Sequence, residues 1–144
     1  MSTMIFVNLP VADLPRSRRF FETLGYTFNT QFSDDTGACL VISETICAML
    51  LTHEKFRQFT SKAIADARTT TEVLTCLSAE SRGAVDTLVD TAVKAGATEP
   101  RPPLDYGFMY GRAFDDLDGH TWEIMWMDPA HVEQAPTEPA AASA

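Results

Sequence analysis

Two stretches of the chain read as one phrase repeated. The first is Ile5-Phe6-Val7-Asn8-Leu9-Pro10-Val11, then Asp13, then a helical pattern that closes at Gly25. The second is Glu72-Val73-Leu74-Thr75-Cys76-Leu77-Ser78, then Ser81, then a helical pattern that closes at Gly96. Each predicts a strand, a side chain able to cap a helix N-terminus, one helix and a glycine stop. Asp13 and Ser81 stand 68 positions apart, about half the chain, so the pattern points to internal duplication of one supersecondary unit.

Both helices are amphipathic. In the first, Leu14, Phe20, Phe21 and Leu24 share one face, and Pro15 sits in the first turn, where its missing N–H breaks no intrahelical bond. In the second, Ala84, Val85, Leu88, Val89, Ala92 and Val93 form the stripe that faces the core, with Asp86, Asp90 and Lys94 toward water. Strands follow each helix: Tyr26–Phe32, Ala38–Ile42 and Ile46–Thr52 in the first half, a strand near Phe108–Phe114 and His120–Met127 in the second. Each half therefore predicts βαβββ. Residues 1–128 are expected to form one domain of two modules, about 1–53 and 70–128, with 54–69 as connector. From Pro129 the chain turns rich in Pro, Ala and Glu, so 129–144 is expected to be a flexible tail.

Composition narrows the function. Of 144 residues, 45% are apolar and 22% charged, a globular balance. Eleven Lys and Arg against twenty Asp and Glu leave a formal charge of −9. Such a surface repels phosphate backbones and anionic membranes, so neither nucleic acid nor a lipid surface is an expected partner. The longest strongly apolar run, Ile46–Leu51, is far short of the roughly 20 residues that span a bilayer. Met1–Asn8 lacks a signal-peptide pattern. Cys39, Cys47 and Cys76 lie in apolar runs without CxxC spacing and read as free thiols. Together these features predict a cytoplasmic protein.

The duplicated unit, with Asn8-Leu9-Pro10-Val11-Ala12-Asp13-Leu14 before the first helix, Phe20-Phe21-Glu22-Thr23-Leu24-Gly25 closing it, and Asp116-Leu117-Asp118-Gly119-His120-Thr121-Trp122-Glu123 near the end, resembles the vicinal oxygen chelate superfamily. That superfamily includes glyoxalase I, extradiol dioxygenases and the bleomycin resistance proteins. The resemblance implies an α+β fold in which paired βαβββ modules form a curved, cup-like mixed sheet with helices outside. It also implies one metal ligand from each of four strands inside the cup, and a homodimer. Leu117, where the family usually has proline, is a minor departure.

Set on this sequence, the implied ligand positions fall at Phe6, Met49, Leu74 and Glu123. One carboxylate and three apolar side chains cannot meet the roughly three N, O or S donors that a transition ion needs. The expectation is therefore a pocket without metal or other cofactor that takes a small molecule. Phe6, Asn8, Met49, Leu74, Tyr106, Tyr110 and Glu123 are its candidate ligand-binding residues, and Glu123 is also the candidate general base. The alternative is a metal-dependent lyase, isomerase or dioxygenase of glyoxalase type, with Glu123 as ligand or base to a divalent metal.

Each candidate has a plain structural alternative. Asn8 could bond neighbouring backbone, and Glu123 could pair with Arg112 or a lysine. Asp105–Arg112 could be an adaptable aromatic wall or a bulged strand packed into core or dimer interface. Trp122 and Trp126 alternate with Glu123 and are expected to face the helices. His53 reads as a connector residue or one at the cup mouth, His120 as ordering its turn, and His131 as part of the tail. The zincin-like His53-Glu54 lacks a second histidine, and Asp116–Gly119 is too short for an EF-hand loop.

Overall fold

A computed structural model of the chain describes residues 2–131. In chain order the elements are β1 (Ile5–Val11), α1 (Leu14–Thr23), β2 (Thr27–Asn29), β3 (Gly37–Val41), β4 (Ile46–Thr52), α2 (His53–Arg57), β5 (Thr75–Ser78), α3 (Arg82–Lys94), β6 (Leu104–Asp105), β7 (Met109–Asp115) and β8 (Thr121–Met127). They build two four-stranded sheets of the same order, β1-β4-β3-β2 and β5-β8-β7-β6. In each, the first strand pairs parallel with the last and the remaining pairings are antiparallel. The repeat seen in the sequence is thus an α+β pair of βαβββ units.

The helices begin where the capping residues placed them. Asp13 accepts from the Arg16 backbone N–H at 3.1 Å and Ser81 from that of Ala84 at 3.0 Å, each occupying a donor that the first turn would otherwise leave open. Both helices cover the same side of their sheets. Leu14, Phe20 and Phe21 of α1 and Val85, Val89 and Ala92 of α3 share one core with Leu9, Leu40, Leu50, Phe114, Trp122 and Ile124. Phe20 lies 6.0 Å from Phe114 and Phe21 lies 5.5 Å from Trp122, centroid to centroid, so the first module's helix packs on the second module's sheet.

Some boundaries differ from the sequence reading. The strand expected over Tyr26–Phe32 ends at Asn29 and gives way to a 3-10 turn at Thr30–Phe32, because the Asn29 side chain takes the Gln31 N–H at 3.0 Å. The first strand of the second module begins at Thr75 rather than Glu72. The connector carries α2, capped by Thr52. Pro129–His131 form a 3-10 turn, and the rest of the expected tail, 132–144, lies outside the described residues. Among the described residues no helix is long and apolar enough to cross a membrane.

The modules are fastened by the turn before β8. Asp118 takes the Ala12 N–H at 2.8 Å and the Ser17 hydroxyl at 3.2 Å, while the His120 Nε2–H donates to the Pro10 carbonyl at 2.7 Å. Asp116 holds the turn itself, accepting from Asp118 N, His120 N and the Trp122 indole N–H. Burial raises the Asp116 carboxyl above the usual carboxylate range, against the pull of the nearby His120 ring. Asp118→Ala strands two donors at a buried site and is expected to cost about 2–4 kcal/mol in urea denaturation. Asp13→Ala removes only a helix cap, about 1 kcal/mol; equal effects of the two would show that the fastening carries no special weight.

Candidate functional site

Each sheet keeps one face away from the helices, and alternation along the strands decides which side chains it carries. On β1, Leu9 and Val11 are buried in the core while Phe6 (51% exposed) and Asn8 point the other way. Met49 is opposite Asn8, Cys39 is opposite Met49, and Cys47 is opposite Phe6. The open face of the first sheet is therefore apolar and sulfur-rich, with Asn8 and, opposite Cys39, Asn29 as amides. Cys39, Cys47 and Cys76 are all free thiols.

On the second sheet, Trp122 and Ile124 are core, so Glu123 lies on the open face, between Cys76 on β5 and Ala113 on β7. Leu74 precedes β5 and is 54% exposed. Glu123 is not solitary: Arg101 Nη2 donates to its Oε2 at 3.0 Å. The partner expected from sequence, Arg112, is engaged elsewhere. It donates to both carboxylate oxygens of Glu99 at 2.9 Å and to Asp86 at 2.9 Å, and pairs with Asp90 at 3.0 Å. These partners, Glu99 first, raise the Arg112 guanidinium further above its usual range. Burial, and then Glu123, push the Cys76 thiol up while Arg101 opposes them.

Tyr110, expected among the ligand-binding residues, stands on the other side of the sheet. Its register neighbour is Trp126, on the helix side of the sheet, and its hydroxyl donates to Asp86 at 2.6 Å. That bond raises the phenol and lowers the Asp86 carboxyl. Tyr110 therefore faces α3 and not the open face. Tyr106 is 62% exposed in the β6–β7 turn, stacked on Phe108, which in turn stacks on His131. Arg82 fixes this turn with two bonds to Asp105 and one to the Gly107 carbonyl, its guanidinium lying 5.0 Å from the Tyr110 ring centroid and 5.3 Å from that of Trp126.

The structure brings Phe6, Asn8 and Met49 together on one sheet and sets Glu123 on the other, with Leu74 just ahead of its strand β5; among the described residues no strand pairing joins the two sheets. Between them the connector roofs a cleft of about 430 Å³. Its lining includes Asn8, Leu51, Phe56, Ile64, Val73 and Thr121. A second cleft of about 370 Å³ on the other side of the connector includes His53, Arg57, Asp118 and His120. Phe56, Ile64 and Arg101 were missed in the sequence. The connector has no periodicity to mark its inward side, and no motif marks Arg101 within the Pro100–Pro103 run.

The four positions where the resemblance implies metal ligands do not fit a divalent ion. Three are apolar, Glu123 already carries a guanidinium, and among the described residues no three His, Cys, Asp or Glu side chains converge.

Comparison with known proteins agrees with the fold. Residues 3–43 match the family model "bleomycin resistance protein-like N-terminal". A glyoxylase/bleomycin resistance protein/dioxygenase domain from Frankia sp. EAN1pec is similar at 27% identity and a TM-score of 0.67, over 91% of this chain and 96% of that one. A hypothetical protein from S. aureus is similar at 25% identity and a TM-score of 0.74, over 88% and 94%. A glyoxalase/bleomycin resistance protein/dioxygenase family enzyme from Burkholderia phytofirmans is similar at 20% identity and a TM-score of 0.72, over 88% and 99%. No curated protein matches.

The turn beside Tyr106 yields a titration. Arg82, followed by the Gly107 N–H, holds the Asp105 carboxyl at about 2, below its ordinary 3.8. A depressed carboxyl stabilises above the unfolded value, and that support is lost as pH falls from 3.8 through 2. In an NMR titration Asp105 is expected to have a midpoint near 2, moving up toward 3.8 in Arg82→Met. An unmoved midpoint would show that Arg82 does not hold the turn.

Proposed function

We propose that this chain, which carries the fold of the vicinal oxygen chelate superfamily, binds a small apolar or aromatic molecule without a metal ion. One observation carries the reading: where metal-using relatives would place ligands, this chain has Phe6, Met49 and Leu74, and its remaining carboxylate, Glu123, sits on Arg101. Apolar side chains at such positions suit an apolar guest and lack the donors that an ion needs.

The cleft under the connector is the place for the ligand's body. Its volume, about 430 Å³, falls in the range of small-molecule sites, and it combines Leu51, Phe56, Ile64 and Val73 with the polar groups of Asn8, Thr75, His120 and Thr121. Phe6, Met49 and Leu74 extend the apolar surface along the open faces. Glu123, held by Arg101, is read as a group that orients a ligand rather than as a free base. We further propose a cytoplasmic homodimer. Ile5 on the edge strand β1 and Val73 just ahead of the edge strand β5 are each more than half exposed, apolar area that a second copy would cover.

Elemental analysis and thermal denaturation test the reading together. Purified protein is expected to hold less than one equivalent of nickel, zinc, iron or manganese per chain, and chelator to leave its Tm unchanged. A ligand at one hundred times its Kd adds about 2.7 kcal/mol to stability, so small aromatic compounds are expected to raise Tm, and Phe56→Ala to reduce that rise. Stoichiometric metal that survives stringent purification would reverse the conclusion in favour of metal-dependent chemistry.

A further inference from the structure

The two clefts that flank the connector divide α2 between them. Phe56 lines the apolar cleft, whereas His53 and Arg57 line the second, of about 370 Å³. His53 and Arg57 are four residues apart and therefore neighbours on one side of the helix. Arg68 joins them from the far end of the connector, and Asp118 and His120 from the turn that fastens the modules.

No acid holds these cations. The chain has twenty Asp and Glu to eleven Lys and Arg, so a carboxylate is easily found, and Arg82, Arg101 and Arg112 each have one. Among the described residues Arg57 makes neither a hydrogen bond nor an ion pair, and the His53 ring has no partner. Arg68 gives Nη2 to the Leu117 carbonyl at 2.6 Å, and the rest of its fork has no acceptor among those residues. The two carboxylates that line the cleft are occupied by neutral donors instead. Asp66 takes the Arg68 backbone N–H at 3.0 Å, and Asp118 takes the Ala12 N–H and the Ser17 hydroxyl. His120 is likewise spent, on the Pro10 carbonyl.

The connector wall adds donors of its own. From Ala63 to Ala67 no backbone N–H bonds to another described residue. Such groups take an acceptor from water or from a ligand. Two guanidinium forks, an imidazole that always has at least one N–H to give, and these amides thus border one space whose carboxylates are already taken. An oxyanion with several acceptor oxygens matches that surplus of donors, which a cation or a purely apolar guest does not. Arg57 and Arg68 are both exposed, so an anion meets them directly from solvent. The volume of the cleft is that of a small-molecule site and leaves room for an organic body beside the charged group.

We propose that this second cleft is an oxyanion site, in which Arg57, Arg68 and His53 receive the phosphoryl group of a small phosphorylated molecule or the free phosphate ion. It is separate from the apolar cleft and does not depend on what that cleft binds. The net charge of −9 works against any anion at long range, so affinity has to come from these short bonds.

The test titrates the intact chain by NMR, at fixed ionic strength in sodium chloride, with inorganic phosphate, glycerol phosphate and, as neutral control, glycerol. Both phosphates are expected to give saturable shifts in the His53 ring signals and in the Nε–H signals of Arg57 and Arg68, and glycerol none. Tighter binding of glycerol phosphate shows that the site takes an ester; equal binding shows that it takes the free ion. Losing one charge-assisted bond costs about tenfold in affinity, and Arg57→Gln and Arg68→Gln are each expected to weaken phosphate by that much. Lys94→Gln, which removes the same charge from the exposed side of α3, is expected to change nothing. Absence of saturable shifts at these residues, unchanged affinity in Arg57→Gln, or an equal loss in Lys94→Gln overturns the proposal. Should Arg68→Gln not fold for want of its bond to Leu117, Arg57→Gln decides the matter, because Arg57 holds nothing among the described residues in place.

Discussion

The architecture depends on one carboxylate. Asp118 stands in the turn between the last two strands, yet both of its oxygens are spent on the other module, on the Ala12 N–H and the Ser17 hydroxyl. Those two groups sit where β1 passes into α1, and fixing them fixes how α1 approaches Phe114 and Trp122. Asp118 and Ser17 are both buried, at 7% and 2% exposure, so water cannot substitute for the bonds. Asp116 serves this carboxylate by shaping its turn. Gly119 serves it by having no side chain: its φ is +90°, and a Cβ there would lie 2.9 Å from the connector backbone at Ala67 and Arg68. Core, turn and connector all converge on this junction.

The same junction determines what kind of site the chain offers. With the helix-covered sides bound into one core, the opposite faces of the two sheets remain, and the connector spans the gap beside His120 and Thr121. A transition ion would need donors from several strands at once, whereas a small organic guest needs apolar area and a few oriented polar groups. On these faces Phe6 and Leu74 are exposed apolar side chains, and Asn8 and the Arg101–Glu123 pair are polar ones. The aromatic turn at Tyr106 and Phe108, pinned by Arg82, stands apart from this arrangement.

The duplication was legible because its signals are local. Asp13 and Ser81 cap helices by bonding three residues ahead, and amphipathic spacing marks the buried stripe within a few turns. The resemblance implies the place of Glu123 in the cup, and alternation then turns Trp122 toward the helices, which needs no information beyond its own strand. What escaped depends on distant register. Tyr110 was assigned to the cup, and its actual face follows from its pairing with Trp126, which only the β7–β8 turn fixes. The choice of Arg101 over Arg112 for Glu123 turns on where a proline-flanked loop returns to the sheet, a matter of tertiary packing that spacing along the chain does not encode. The strand expected at Tyr26–Phe32 overran because one asparagine side chain outcompeted the sheet ladder.

Parallel pairing of first and last strands gives the chain an order of assembly. The N-terminal unit can close once β4 is available to β1, since Ile5–Val11 pair with Ile46–Thr52 and need nothing further along. Its helix nevertheless presents Phe20 and Phe21 to partners on β7 and β8, and the Asp118 bond to Ala12 joins residues 106 apart in sequence. A nascent chain emerging from the ribosome would therefore hold a half-finished greasy flank until β7 and β8 have been made. Closing that span carries a loop entropy that the pairings within one module do not. Once formed, the contact couples the halves, so that neither opens without exposing the other's interior.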